Sequence, residues 1–295
     1  MTGSIGLDIG ATKTLGVLVD ADGRVLHQVR EATEPGAEGI VRTAELVVAH
    51  LGADAGASVG LGIPGLVDIE RGAVKHAVNL GVDGEWVPLR AELEARLGVP
   101  VAVENDVNVA TLGAVALSGI RDLVYLSIGT GLAAGLVLDG TLRRGATGAA
   151  GEIGHVPIDP LGATCQCGQR GCLETVASGR ALAEAWPSGD EPPAQALFGA
   201  AAAGDEKAIA VRDRFAAGVA DAVRTLCLSV DPATIVLGGG VAHLGAPLVE
   251  AVSAALRAQA SSSPFLASLD LAGRIRVVPD DQPVAALGAA LLGRG

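Results

Sequence analysis

Three of the four cysteines in this chain lie in one short segment, Cys165 to Cys172, and a histidine precedes them at His155. Three thiolates and one imidazole form the donor set of a closed tetrahedral zinc site, the structural rather than the catalytic kind. The sequence therefore predicts that His155, Cys165, Cys167 and Cys172 hold a structural Zn²⁺ in a loop over residues 155–174. The fourth cysteine, Cys227, lies alone in an apolar stretch and is predicted to be a core residue.

Composition limits the classes of protein to which the chain can belong. At 295 residues it exceeds the usual single domain, which favours two lobes. A net charge of -12 and an aromatic content of 2% argue against a nucleic-acid partner, since such partners select basic and stacking side chains. With so few aromatic residues, we expect aliphatic packing with close backbone approach at glycines. No signal peptide or membrane-spanning stretch is recognisable, so the expectation is a cytoplasmic protein without membrane contact.

The hydrophobic pattern predicts an α/β chain of two halves with a similar plan. Apolar residues alternate in Ile5–Ile9 and in Leu15–Val19, which predicts an opening hairpin. The second half begins in the same way with strands over Leu123–Ile128 and Ala134–Leu138. The other predicted strands cover about 24–31, 59–63, 101–103, 234–237 and 275–278, and the predicted helices cover about 39–51, 89–97, much of 178–229, a segment after 106 and a terminal segment after 283.

Each predicted hairpin has a turn of small and hydroxyl residues, in which backbone N–H groups can face an anion. One such turn alone is more often only a turn. Two of them, with a glycine run at 238–240 after a strand, are what a nucleotide site requires, although purely structural turns remain the alternative. The residues predicted to contact the nucleotide are Asp8, Gly10, Ala11, Thr12, Lys13, Gly129, Thr130, Gly131 and Gly239.

Acidic side chains form two further candidate groups. Glu104-Asn105-Asp106 follows a predicted strand and precedes a helix, at the sheet edge where open α/β sheets bind ligands. A helix N-cap explains the same residues, and by position alone it is the better explanation. A kinase, however, needs a carboxylate to accept the proton of the attacking hydroxyl. Glu152 and Glu174 flank the cysteine loop and are either surface charges or acceptors for sugar hydroxyls.

These segments together resemble the ROK family, which unites bacterial glucokinases, fructokinases, N-acetylhexosamine kinases and sugar-responsive repressors. The resemblance extends from Asp8 to the terminal helix, and the cysteine loop with its preceding Glu-x-Gly-His is its most specific part. The motifs are, in chain order, Asp8-Ile9-Gly10-Ala11-Thr12-Lys13, Gly62-Ile63-Pro64-Gly65-Leu66-Val67-Asp68, Glu104-Asn105-Asp106, Gly129-Thr130-Gly131, Glu152-x-Gly154-His155 and Cys165-x-Cys167-Gly168-x-x-Gly171-Cys172-x-Glu174.

The resemblance implies a two-lobed actin-like ATPase fold, related to ribonuclease H, with an interlobe cleft. The implied N-terminal lobe covers 1–115 and is completed by the terminal helix over 283–295, and the C-terminal lobe covers 116–282. Asp106 is implied as the catalytic base, and His155 is implied both to ligate zinc and to face the sugar. The residues implied to contact the sugar are Gly65, Asn105, Asp106, Glu152, His155 and Glu174.

The resemblance therefore implies an ATP-dependent hexokinase that uses Mg²⁺, with the 6-hydroxyl of glucose as the default acceptor. N-acetylmannosamine, mannose and fructose are alternative acceptors, and a homodimer or tetramer is implied by family habit alone. The alternative of another class is a non-catalytic sugar sensor; repressors of the family carry a DNA-binding segment before the first loop, whereas Asp8 closely follows Met1. The chain departs from the family at Ala11, Ala133 and Ala134, where members often have glycine, and a methyl group limits backbone approach to phosphates.

Overall fold

The computed structural model describes residues 3–52, 57–278 and 282–293. The strands are β1 (Ser4–Ile9), β2 (Lys13–Val19), β3 (Val25–Ala32), β4 (Ser58–Ile63), β5 (Leu66–Asp68), β6 (Ala73–Lys75), β7 (Val101–Asn105), β8 (Leu123–Ile128), β9 (Leu132–Leu138), β10 (Thr141–Leu142), β11 (Thr234–Gly238) and β12 (Ile275–Val277). The helices are α1 (Ala37–Leu51), α2 (Leu89–Leu97), α3 (Asp106–Ser118), α4 (Glu174–Ala177), α5 (Gly179–Ala185), α6 (Pro193–Ala202), α7 (Glu206–Val230), α8 (Ala246–Ala260), α9 (Pro264–Ser268) and α10 (Val284–Leu292).

The described chain divides into two compact units. The first consists of Met1–Arg121, Gly135–Ala150 and Asp281–Gly295, and the second of Asp122–Ala134 and Gly151–Asp280. Residues 135–150, which the sequence-based boundaries assigned to the C-terminal lobe, thus group with the first unit. The terminal helix groups with the first unit as well.

The first unit is built on a five-stranded sheet in the order β3-β2-β1-β4-β7. β2 runs antiparallel to both β1 and β3, whereas β4 runs parallel to both β1 and β7. In this register Asp8 pairs with Gly62, and Gly62 pairs with Glu104. Parallel strands end at the same sheet edge, so Asp8 and the Glu104-Asn105-Asp106 segment are brought to one edge.

Glycines allow the terminal helix α10 to seat against this sheet. A Cβ atom on Gly6 in β1 would lie 1.8 Å from the Ala286 carbonyl oxygen, and one on Gly60 in β4 would lie 1.7 Å from the Ala289 oxygen. These distances are far shorter than a carbon–oxygen contact permits, so only glycine fits at both positions. The expected packing by close backbone approach is therefore present where α10 meets β1 and β4.

The second unit contains β8, β11 and β12, which run parallel to one another. They belong to a second five-stranded sheet in the order β10-β9-β8-β11-β12. The long helix α7 begins at an N-cap, Asp205, whose side chain accepts a hydrogen bond from the Ala208 N–H. α7 packs against α4, α6 and α8, and Cys227 on this helix is buried, as predicted.

Most predicted elements are present within a few residues of their expected bounds. The short β5–β6 hairpin and helix α8 were not predicted. The turn at Asp139-Gly140 has the expected hairpin geometry, with φ of 56° and 73° at its two central residues. None of the helices in the described ranges is both long and apolar enough to cross a lipid bilayer.

Candidate active site

Asp106 lies at the carboxyl edge of the first sheet, where β7 passes directly into α3. Its side chain is partly buried, and its negative charge acts on Asp8 at the end of β1. A Cβ atom on Gly62 would lie 2.4 Å from Cγ2 of Val109, so glycine at 62 lets the start of α3 approach β4. The structure thus brings two of the predicted site carboxylates, Asp8 and Asp106, together within the first unit.

Asn105 supplies the helix cap that the sequence left as an alternative. Its Oδ1 accepts hydrogen bonds from the N–H groups of Val107 at 2.9 Å and Asn108 at 3.2 Å. Its Nδ2 donates to the Gly65 carbonyl at 3.3 Å. Gly65 has φ of 107°, and a Cβ atom there would lie 2.7 Å from the Lys75 carbonyl oxygen, so the position requires glycine. The N-cap is thus the amide of Asn105. Asp106 follows it in the first helical turn, and its Oδ1 also accepts a hydrogen bond from the Val107 N–H at 3.0 Å.

Burial is the main reason that the pKa of Asp8 is raised from 3.8 to about 7. The neighbouring charge of Asp106 raises it further, and the ammonium group of Lys13 lowers it. A carboxylate with this pKa carries a partial charge near neutral pH. A cation bound beside Asp8 would favour its ionised form, because an opposite charge lowers a carboxyl pKa.

A buried carboxylate that the site prediction omitted lies one residue before Asn105. The Glu104 side chain is only 1% exposed, and its Oε2 accepts a hydrogen bond from Nε of Arg144 at 2.6 Å. Both residues belong to the first unit. The charged residue at the end of an apolar strand was visible in the sequence, but the partner 40 residues away was not.

The first glycine-threonine turn is exposed at Ala11, Thr12 and Lys13. It is closed by a hydrogen bond from the Gly10 N–H to the Lys13 carbonyl, at 3.0 Å. The Thr12 carbonyl accepts from the N–H of Thr33 at the end of β3, which ties the turn to the sheet. The turn therefore stands next to Asp8 as a fixed loop with accessible side chains.

The second turn, Gly129-Thr130-Gly131, is bonded to the start of α5. The carbonyls of Gly129 and Thr130 accept from the N–H groups of Gly179 and Arg180 at 2.8 Å and 3.3 Å. Gly239 lies against the start of this turn, because a Cβ atom there would be 2.7 Å from the Ile128 carbonyl. The structure thus brings Gly239 and the 129–131 turn together within the second unit. Ala133 and Ala134 are strand residues of β9 and lie outside the turn.

His155, Cys165, Cys167 and Cys172 form a cluster whose ligand atoms all lie within 4.8 Å of one another. Nδ1 of His155 lies 3.8 Å from the Cys165 sulfur, and the sulfurs of Cys167 and Cys172 are 3.6 Å apart. Hydrogen bonds from Gln169 lower the pKa of Cys167 to about 6, whereas burial raises the pKa of Cys165 to about 12. One imidazole and three sulfurs at this spacing fit a structural Zn²⁺.

The two flanking glutamates contact opposite sides of the His155 ring. Nε2 lies 3.7 Å from a Glu152 oxygen, and Nδ1 lies 3.7 Å from a Glu174 oxygen. Glu174 also accepts a hydrogen bond from the Cys165 thiol at 2.9 Å, and its other oxygen faces Gly131, where a Cβ atom would come within 3.0 Å of it. The Nδ1 side of the ring therefore faces the cysteines, and the Nε2 side faces the exposed Glu152.

Comparison with known families matches residues 4–294 to the ROK family. The chain belongs to this family. It is 36% identical over 263 residues to a glucokinase of Thermotoga maritima, which covers 82% of this chain and 83% of the relative. It is 32% identical over 255 residues to an N-acetylmannosamine kinase of Haemophilus influenzae, with 83% and 84% covered.

Among solved structures, a ROK family glucokinase from Streptomyces griseus, in complex with glucose and AMPPNP, superimposes with a TM-score of 0.82. The two sequences are 33% identical, and 99% of each chain is covered. The ROK resemblance drawn from the motifs is thereby confirmed, and so is the fold class of ROK sugar kinases. These relatives also support the predicted sugar kinase activity.

Proposed function

We propose that this ROK protein is an ATP-dependent hexokinase that phosphorylates the 6-hydroxyl of glucose. The observation that carries the proposal is the partly buried Asp106 carboxylate, at a sheet edge beside Asp8 and directly after the cap residue Asn105. In phosphoryl transfer the protein mainly positions the substrates and supplies a proton acceptor. It does little covalent chemistry itself. The glucokinase relatives support glucose as the acceptor.

In this mechanism Asp106 accepts the proton of the sugar hydroxyl as its oxygen attacks the γ-phosphorus. The new oxygen–phosphorus bond forms while the bond to the β,γ-bridging oxygen breaks, and ADP leaves with that electron pair. Asn105 keeps the base at a fixed position, because its Oδ1 holds the first turn of α3. The second N–H of its amide donates to a sugar hydroxyl.

The two glycine-threonine turns bind the phosphates of ATP through their backbone N–H groups and through Thr12, Lys13 and Thr130. Gly239, which lies against the Ile128 backbone at the start of the second turn, contacts the nucleoside in this proposal. Bound Mg²⁺ would neutralise charge on the β- and γ-phosphates. Asp8, at the end of β1, is the carboxylate of the first unit placed to orient that ion or its water shell.

The cysteine loop positions the sugar-binding face in this proposal. Cys165, Cys167, Cys172 and Nδ1 of His155 would hold the Zn²⁺, which would fix the imidazole ring and leave Nε2 available to a sugar hydroxyl. Glu152 and Glu174 accept hydrogen bonds from further hydroxyls, and Gly65 contributes backbone contact. The role of the cysteine loop would then be to orient His155, and it would not touch the reacting atoms.

N-acetylmannosamine is the second candidate acceptor, because a kinase for that sugar is 32% identical over most of the chain. A coupled ADP-release assay with Mg-ATP across glucose, mannose, fructose and N-acetylmannosamine tests both proposals. We expect kcat/KM for glucose to exceed the others by at least about tenfold, a ratio that corresponds to about 1.4 kcal/mol. Absence of ADP release with every sugar, while sugar binding is measurable by calorimetry, would indicate a non-catalytic sensor instead.

A further inference from the structure

The ion pair between Glu104 and Arg144 has no part in the reaction described above. The Glu104 carboxylate is 1% exposed and the Arg144 side chain 34% exposed, and the Nε–Oε2 distance is 2.6 Å. In such a place well-packed apolar side chains are often as stable as a buried ion pair, or more so. The presence of a buried ion pair beside Asn105 and Asp106 therefore points to a role in orienting this segment.

The second oxygen of Glu104 bonds to residues on both sides of Asp106. Oε1 accepts a hydrogen bond from the backbone N–H of Asn105 at 2.9 Å and another from Nδ2 of Asn108 at 3.0 Å. Asn108 lies in the first turn of α3, and its own N–H is held by Asn105. One carboxylate thus links the end of β7 to the start of α3, on both sides of Asp106 in the chain.

Arg144 is itself held by backbone hydrogen bonds. The carbonyl of Arg144 accepts from the Ala150 N–H at 3.1 Å, and the preceding Arg143 N–H donates to the Leu136 carbonyl in β9 at 2.8 Å. The backbone that carries the Arg144 side chain is therefore bonded to β9 and to Ala150. From this position the guanidinium can fix the direction in which the Glu104 carboxylate points.

We propose that Arg144 is a positioning residue for phosphoryl transfer, acting through Glu104 on the orientation of Asn105 and Asp106. This inference rests on the proposed kinase function. Arg144 contacts neither the base nor the substrate in this account. Its effect comes from the geometry of the strand-to-helix junction, where a displacement of about 1 Å can cost up to 10²-fold in rate.

The test compares Arg144→Gln with Arg144→Lys and with the control Arg96→Gln. Arg96 is 30% exposed and bonded to the carboxylates of Glu38 and Glu45 in the same unit, so it matches Arg144 in exposure, whereas its partners are more exposed than Glu104 and lie outside the Asp106 segment. Amide hydrogen exchange is followed at Val107 and Asn108, whose N–H groups are capped by Asn105. Arg144→Gln is expected to speed exchange there about tenfold, while Arg96→Gln leaves it unchanged.

Steady-state kinetics on the same variants measure the consequence for the reaction. We expect Arg144→Gln to lower kcat about tenfold or more, with the KM for ATP within about twofold of the parent. Arg144→Lys keeps the positive charge and should recover most of kcat. Unchanged exchange at residues 107 and 108 together with unchanged kcat in a folded Arg144→Gln protein would overturn the proposal.

If Arg144→Gln does not fold, Glu104→Gln decides the question. The carboxamide keeps an oxygen for Asn105 and Asn108 but turns an N–H₂ group toward Arg144, so the same faster exchange and lower kcat are expected. Parent-like exchange and kcat in that variant would contradict the proposal. If the parent protein phosphorylates no sugar, the kinase function fails, while the exchange comparison still reports on Arg144.

Discussion

At the scale of single residues, Asp8 combines burial with a like charge nearby, and its pKa is raised from 3.8 to about 7. The folded state therefore keeps a proton that the unfolded chain loses, and stability falls as pH rises from about 4 to about 7. Asp8→Asn removes this penalty. We expect it to raise the free energy of unfolding at pH 8 by on the order of 1 kcal/mol, with little change near pH 4.

Urea denaturation at the two pH values measures this difference. Asp139→Asn is the matched control, because the Asp139 side chain is 88% exposed and its backbone, at φ of 56°, accepts asparagine readily. Asp139→Asn should change the free energy of unfolding by the same amount at both pH values. A stability gain in Asp8→Asn that is the same at pH 4 and pH 8 would mean that ionisation of Asp8 is not its cause.

Motifs in the sequence single out the candidate site residues, whereas they do not show which of the side chains form ion pairs or hydrogen bonds with one another. The choice between cap and catalytic role at Asn105-Asp106 was open in the sequence, and the structure gives the cap to Asn105. Glu104 ends an apolar strand, so its burial follows from its position, but nothing local indicates Arg144 as its partner. Long-range pairs of this kind depend on tertiary packing, which here places residues 135–150 in the first unit.

At the scale of elements, the seat of α10 against β1 and β4 depends on glycines. Gly60→Ala would place a Cβ atom 1.7 Å from the Ala289 carbonyl, and the helix would have to move. We expect a loss of about 3 kcal/mol in the free energy of unfolding, the upper range for overpacking. Denaturant titration measures it.

Gly199 provides the control for that substitution. It lies inside α6, and a Cβ atom there would meet no atom within 4 Å. Gly199→Ala should therefore stabilise the protein by up to about 1 kcal/mol through helix propensity. Equal stabilities for the Gly60→Ala and Gly199→Ala proteins would show that α10 is not seated on β4 as described.

The cysteine loop is the second element with a direct test. Cys167→Ser removes one sulfur of the His155 cluster, while Cys227→Ala removes a cysteine from α7, outside it. We expect Cys167→Ser to lose bound zinc and to weaken hexose binding about tenfold, as measured by elemental analysis and calorimetry. Cys227→Ala should keep both. Hexose affinity that holds while zinc is lost would disprove the proposed coupling through His155.

Strands and helices were predicted best where the pattern of apolar residues extends over five or more residues. The strands over 59–63 and 123–128 and the helix over 89–97 are present at nearly their predicted bounds. The β5–β6 hairpin was missed because three-residue strands carry too little alternation to be recognised. The cysteine loop was predictable because metal ligation restricts residue type and spacing more than packing does.

At the scale of the whole molecule, the chain crosses between its two units at residues 121–122, 134–135, 150–151 and 280–281. A contiguous boundary drawn on the sequence could not reproduce this division, because residues 135–150 rejoin the first unit after β8 is complete. The segment between β10 and the Glu152–His155 motif carries Arg144 and belongs with the Asp106 unit. Such interleaving is decided by tertiary packing rather than by local pattern.

The proposed role of Asp106 as the proton acceptor for the sugar hydroxyl is tested by single-turnover phosphorylation with Asp106→Asn. The asparagine keeps the size of the side chain, so melting temperature and hexose affinity should stay near those of the parent. We expect the rate of phosphoryl transfer to fall by about 10²-fold or more, because no other carboxylate in the described part of the chain takes over the proton. Parent-like transfer by a folded, sugar-binding Asp106→Asn protein would contradict the proposed role.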